Sequence, residues 1–95
     1  MKITEFTVTH SFELYQSGEK TSHFVSAKVH PEEPLTLEEF PTAQLEAKCA
    51  VGRACIYNAL VTGAITVEFA NERISTLRDN TENLRSVLKK RQVPG

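Results

Sequence analysis

The stretch Phe6-Thr7-Val8-Thr9-His10-Ser11-Phe12-Glu13-Leu14 decides the fold, together with Thr21-Ser22-His23-Phe24-Val25-Ser26-Ala27-Lys28-Val29, which follows it after a short turn. Across residues 3–15, Phe6, Val8, His10, Phe12 and Leu14 share one face, and Glu5, Thr7, Thr9, Ser11 and Glu13 share the other. A period of two marks a half-buried strand. Residues 21–30 alternate in the same way, with Val25, Ala27 and Val29 against Ser26 and Lys28. Between them lies Gln16-Ser17-Gly18-Glu19, where Gly18 is free to take positive φ. With Ser17 and Gly18 at the centre of the turn, Phe12 faces His23, His10 faces Val25, Val8 faces Ala27 and Phe6 faces Val29. Every apolar residue except Tyr15 and Phe24 then lies on one side. A slip of one residue destroys the match, so the pattern predicts its own register.

An apolar ribbon face needs a cover, and the second half of the chain supplies two helices. Over 71–91, Ile74, Leu77, Leu84 and Leu88 fall at helical spacing with Thr81 filling the gap. Asn71 can cap this helix, and Asp79-Asn80-Thr81 is a weak place in it, open to a kink or break, because short polar side chains compete for backbone hydrogen bonds. Over 42–62, Leu45, Cys49, Gly52, Ile56, Ala59 and Leu60 form the main stripe, and Ala47, Ala50, Val51, Ala54 and Cys55 widen it. A helix this apolar is buried on more than one side. Gly52 reads as a helix crossing point, since it costs about 1 kcal/mol in helix propensity. Cys49 and Cys55 sit about 9 Å and about 240° apart on such a helix, so they cannot bridge and are expected to be buried free thiols.

The connecting segments are less regular. Pro31 and Pro34 end the second strand, and Pro-Glu-Glu-Pro-Leu-Thr-Leu-Glu-Glu-Phe-Pro over 31–41 is expected to be an extended loop or a short helical turn pinned by Leu37 and Phe40. Thr36 and Glu39 have the spacing of a capping box. Gly63 marks a helix end, and Ala64-Ile65-Thr66-Val67-Glu68-Phe69 alternates as a third strand would, with a continuous helix as the competing assignment. Val93-Pro94-Gly95 reads as a frayed tail. The predicted fold is therefore α+β in a single domain of 95 residues: a small antiparallel sheet, made of a β-hairpin plus a third strand, packed against two helices in the order β-β-α-β-α.

Composition limits function more than it specifies it. Apolar content is 40% and charged content 24%, as in a folded globular domain. No apolar run approaches the roughly 20 residues that span a membrane, and the N-terminal residues lack the apolar stretch of a signal peptide. The expectation is a cytoplasmic protein with no membrane partner. Net charge is −1, yet residues 1–46 carry three lysines against eight acids while residues 47–95 carry eight bases against four acids. The plainer expectation is a solvated surface whose halves attract one another; the sharper reading is two patches of opposite sign that suit self-association or a charged partner.

No nucleophile has a recognisable base beside it, and no glycine-rich phosphate loop is present, so an enzyme is not expected and no cofactor is implied. His10 and His23 share the apolar face of the hairpin, and a cysteine from the packed helix could join them in a metal site. Partly buried histidines at the end of the sheet are the plainer expectation. Arg78, Arg85, Lys89, Lys90 and Arg91 form a candidate binding strip for nucleic acid or a nucleotide, but basic residues at a helix C-terminus also answer the helix dipole, and the sequence pI is near 6.3.

The opening Met1-Lys2-Ile3-Thr4-Glu5-Phe6-Thr7-Val8, with Val25-Ser26-Ala27-Lys28-Val29 after the turn, resembles the N-terminal hairpin of small uncharacterised bacteriophage accessory proteins. The likeness covers about a third of the chain, and Phe24-Val25 replaces the acidic lead-in of those proteins. It implies a phage-encoded accessory or anti-defence protein that binds and inhibits or sequesters a component of the host cytoplasm, and it carries over no site residues. The expected function is a non-enzymatic interaction protein, homo-oligomeric and with a protein partner. The alternative is a binder of nucleic acid or of a nucleotide signal. The contact between copies is expected along the 42–62 helix near Val51 and Cys55, or along the final helix.

Overall fold

A computed structural model describes residues 1–92. The tail expected at Val93-Pro94-Gly95 lies outside the described residues. The elements in chain order are β1 (Lys2–Ile3), β2 (Phe6–Gln16), β3 (Glu19–Val29), β4 (Leu35–Thr36), α1 (Phe40–Val61) and α2 (Val67–Gln92). The fold is α+β, as expected.

β2 and β3 form the antiparallel ribbon in the predicted register, with Phe6 opposite Val29, Val8 opposite Ala27, His10 opposite Val25 and Phe12 opposite His23. Ser17 and Gly18 both take positive φ, 53° and 80°. That is the turn whose twist matches the ribbon. Val8, Phe12 and Leu14 are buried, and Tyr15 and Phe24 stand on the wet side at 72% and 65% exposure.

α1 lies across the inner face of the ribbon, and Val51, Cys55, Ile56 and Ala59 are buried there. This corrects the expected contact between copies near Val51 and Cys55. Both side chains belong to the protein's own core. Burial also pushes the Cys55 thiol up from its ordinary value, so it stays protonated. Cys49 is only half-buried. α2 returns antiparallel beside α1 with Ala70 buried and Ile74 and Leu77 packed on the core. Gly52 is the expected crossing point: a Cβ there would fall 2.8 Å from Leu77 Cδ2 and 3.1 Å from His10 Nδ1. Ribbon, α1 and α2 meet at that residue.

The third strand expected at 64–69 does not form. Gly63 takes positive φ, its N–H donates to the Leu60 carbonyl, and the Ala64 N–H donates to the Ala59 carbonyl. This paired closure ends α1 at once. Thr66 then caps α2, its Oγ1 accepting from the Phe69 N–H at 3.1 Å. Only the turn 62–66 is left between the helices, and Val67, Glu68 and Phe69 make the first turn of α2. The alternation of Ile65, Val67 and Phe69 has another meaning: Ile65 plugs the turn, Val67 is exposed and Phe69 packs on Phe12.

The break considered at Asp79-Asn80-Thr81 is likewise not seen. Thr81 is buried and its hydroxyl donates to the Leu77 carbonyl of the same helix at 2.8 Å. In the connector, Leu35–Thr36 pairs with Lys2–Ile3 as a second two-stranded sheet, a clasp between the N-terminus and the entry to α1. Thr36 and Glu39 close the expected capping box: the Thr36 N–H donates to Glu39 Oε1 at 3.0 Å and the Glu39 N–H donates to Thr36 Oγ1 at 3.2 Å. These bonds hold the Glu39 carboxyl below its ordinary value. Pro41 sits in the first turn of α1, where it interrupts nothing. Phe40 rests edge-on against Phe6, whereas Leu37, expected to pin the loop, is 61% exposed. No helix among the described residues is long and apolar enough to cross a membrane.

Candidate functional site

Two grooves flank α2. The first runs between the helices. Glu46, Cys49, Arg53 and Tyr57 follow one another at three- and four-residue steps on α1, and Ile74, Arg78, Thr81 and Arg85 do the same on α2, with Glu82 next to Thr81. Antiparallel packing brings the two rows together. Arg85 closes the groove at one end: its Nη2 and Nε donate to Glu46 Oε1 at 2.6 and 2.9 Å, and its Nη1 pairs with Glu82. Both carboxylates favour the charged guanidinium. Arg53 and Arg78 have no carboxylate partner among the described residues, and Tyr57 is 51% exposed beside them. An aromatic ring next to two unpaired guanidinium groups can take up an anion that also offers a flat face.

The second groove lies at the far end of the molecule, where β4, the start of α1 and the end of α2 converge. It has a volume of about 950 Å³, and its lining mixes apolar Leu35, Leu37, Pro41, Ala43 and Leu88 with Glu38, Glu39, Thr42 and Arg91. Leu84 and Val87 are exposed on the same stretch of α2, at 53% and 44%. The stripe of α2 explains them. It is covered from Ala70 to Thr81, and past Thr81 its apolar residues continue while the cover thins.

The five basic residues of the predicted strip therefore do not form one site. Arg78 and Arg85 line the inter-helix groove, Arg91 belongs to the far groove, and Lys89 and Lys90 lie exposed in the last turn of α2. Arg53 was missed as a site residue because Arg78, the second cation of the groove, lies on the other helix. Its spacing of four from Tyr57 is the one sequence signal that pointed to it.

The histidines are placed by packing. His10 abuts Gly52, and burial, helped by nearby Arg73, lowers its pKa from the ordinary 6.5. His23 stacks on Phe12 with ring centres 5.1 Å apart, and its buried Nε2 has no hydrogen-bond partner among the described residues. Arg73 sits over the Phe12 and Phe69 rings at 5.2 and 5.9 Å. Among the described residues no three His, Cys, Asp or Glu side chains are grouped to hold a metal ion. No protein-family model, curated protein or solved structure matches this chain.

Proposed function

We propose that the protein is a non-enzymatic interaction protein that self-associates and holds a protein partner in the far groove. The observation that carries this is the groove in which Leu35, Leu37, Pro41, Ala43 and Leu88 lie together with Leu37 exposed, on a molecule that also exposes Leu84 and Val87 on the same last turns of α2. Exposed apolar surface in a groove is the kind that marks interaction sites, and Glu38, Glu39 and Arg91 in the same lining supply the polar contacts that accompany it. With the likeness of the hairpin to phage accessory proteins, the partner is a component of a host cytoplasm that the protein blocks or sequesters. Leu37→Glu and Val87→Glu change exposed residues and leave the core alone. Each should abolish capture of the partner from host lysate while the thermal melt stays unchanged. Equal capture by wild type and both variants would remove the groove from the function.

A second function is favoured by one specific feature, the unpaired Arg53 and Arg78 beside Tyr57. It is the binding of a nucleotide or of single-stranded nucleic acid, by charge and by stacking on the ring. Arg85, held between Glu46 and Glu82, contributes less than its position in the sequence suggests. Fluorescence anisotropy at low salt with labelled oligonucleotide and labelled nucleotide tests it. Binding should fall with salt and be lost in Arg53→Ala and Arg78→Ala, and no binding of either probe refutes it.

A further inference from the structure

The ribbon is a sheet of two strands beneath a layer of two helices. Packed helices stand about 9 Å apart and paired strands about 5 Å apart, so two helices reach past two strands. The overreach lies on the β2 side. His23 of β3, directly opposite Phe12 in the ladder, stacks on one face of the Phe12 ring, and Arg73 of α2 sits over that ring at 5.2 Å. The face left to Arg73 looks toward the free edge of β2. α2 therefore stands above the place where a strand next to β2 would lie.

Both walls of that place are open. The turn of two residues closes on a hydrogen-bonded pair and the ladder alternates from there, so the N–H and C=O groups of Thr7, Thr9, Ser11 and Glu13 point away from β3. Among the described residues no main-chain hydrogen bond leaves β2 on that side. An edge eleven residues long with no proline or bulge is a template for another strand. On α2, Arg73, Leu77, Asn80, Leu84 and Val87 follow at steps of four and three and share one side of the helix. Arg73 and Leu77 are half-buried, and Leu84 and Val87 are exposed. The helix runs from Phe12, at Arg73, back past His10 and Gly52, at Leu77. Leu84 comes three turns, about 16 Å, after Arg73, a span of about five strand residues, so the stripe follows β2 towards its first residues.

A second copy paired edge to edge would bring its own α2 into this space, whereas a single strand with no helix upon it fits beneath the overhang. We propose that one extended strand of a partner protein enters this slot, pairs antiparallel with β2 and turns alternate side chains up to α2. Arg73 sets the chemistry of that strand. Its guanidinium is half-buried and has no carboxylate partner among the described residues. The inward side chain opposite Phe12 is therefore acidic, since a desolvated guanidinium is best met by a carboxylate. The inward side chains opposite His10 and Val8 are apolar, to meet Leu77 and Leu84. The slot is separate from the far groove, and the two contacts can be tested apart.

The probe is the synthetic peptide Thr-Val-Thr-Glu-Thr-Val-Thr-Val-Thr, whose glutamate lies opposite Phe12 when its central threonine pairs with Ser11. The control peptide carries lysine in place of that glutamate. Both are titrated to about 1 mM and followed by NMR with amide exchange. The glutamate peptide should bind at least about tenfold more tightly than the lysine peptide. It should slow exchange of the outward amides of Thr7, Thr9, Ser11 and Glu13 and leave those of Val8, His10 and Phe12, already bonded to β3, unchanged. Ser11→Pro removes one outward N–H and leaves the β3 ladder intact, and Leu84→Glu charges the roof. Each should weaken binding at least about tenfold with an unchanged circular dichroism spectrum, while Leu37→Glu should bind as the wild type does. Should Ser11→Pro fail to fold, the exchange pattern of the wild-type protein decides. No binding at about 1 mM, binding that leaves the outward amides exchanging as before, or binding lost in Leu37→Glu and kept in Ser11→Pro would overturn the slot.

Discussion

Gly52→Ala puts the three-way junction to a quantitative test. In an exposed helix interior the substitution stabilises by about 1 kcal/mol, because alanine loses less backbone freedom. At this site the added Cβ would sit 2.8 Å from Leu77 Cδ2, 3.2 Å from Leu77 Cδ1 and 3.1 Å from His10 Nδ1. Ordinary carbon contacts begin near 3.5 Å, so Leu77 must turn and the His10 ring must give way. Overpacking of this degree costs about 1–3 kcal/mol. The propensity gain offsets part of it, leaving a net loss of about 1 kcal/mol, or a fall in Tm of about 4–8 °C for a domain of this size. Urea and thermal unfolding of Gly52→Ala, Leu77→Ala and the double variant separate the two effects. With Leu77 shortened, the same alanine should be neutral or stabilising, giving a coupling energy of about 1–2 kcal/mol. A stabilised Gly52→Ala protein in the wild-type background, or no coupling to residue 77, would refute the close approach of α2 to α1 at this residue.

Val8→Asp should cost several kcal/mol by placing a charge in the core, while Thr7→Asp on the wet face should stay within about 0.5 kcal/mol; equal losses in denaturant unfolding would invert the faces of the ribbon. His23→Phe should hold or raise stability by up to about 1 kcal/mol, since it keeps the stack on Phe12 and removes a buried nitrogen without a partner; a clear drop in Tm would show that the nitrogen is satisfied. His10 makes stability depend on pH. Its folded pKa lies below the ordinary 6.5, so the unfolded chain binds the proton more readily. Its stabilising contribution is complete above about pH 6.5 and is lost as pH falls from there towards the folded value. Unfolding measured from pH 8 to 5 should show this loss, and His10→Gln should flatten it.

The hairpin was legible because its two determinants are local. A period-two pattern ran on both sides of a turn that needs positive φ, and only one register matched them. The capping box at Thr36 and Glu39 was legible for the same reason. The segment 64–69 was not, because β-branched Ile65, Thr66 and Val67 alternate as a strand does. The decisive information was the paired closure at Gly63 and the hydroxyl cap at Thr66, each a bond between near neighbours that a periodicity cannot register. The groove was half legible. Arg78 and Arg85 declared their helix face, but Arg85 is occupied by Glu46, which lies 39 residues away in the chain. Arg53 enters the site only once the two helices lie side by side.

The short clasp of Lys2–Ile3 on Leu35–Thr36 has a kinetic consequence. The ribbon and the helical pair each join consecutive segments, so both can form early and on microsecond timescales. The clasp instead closes a loop around the entire ribbon and gains only a few bonds near the surface, so it should form last and open first. Amide hydrogens of Ile3 and Leu35 should exchange at a rate set by local fraying, well ahead of those in α1, and a cut or deletion at the N-terminus would release the entry to α1 and widen the far groove without unfolding the core.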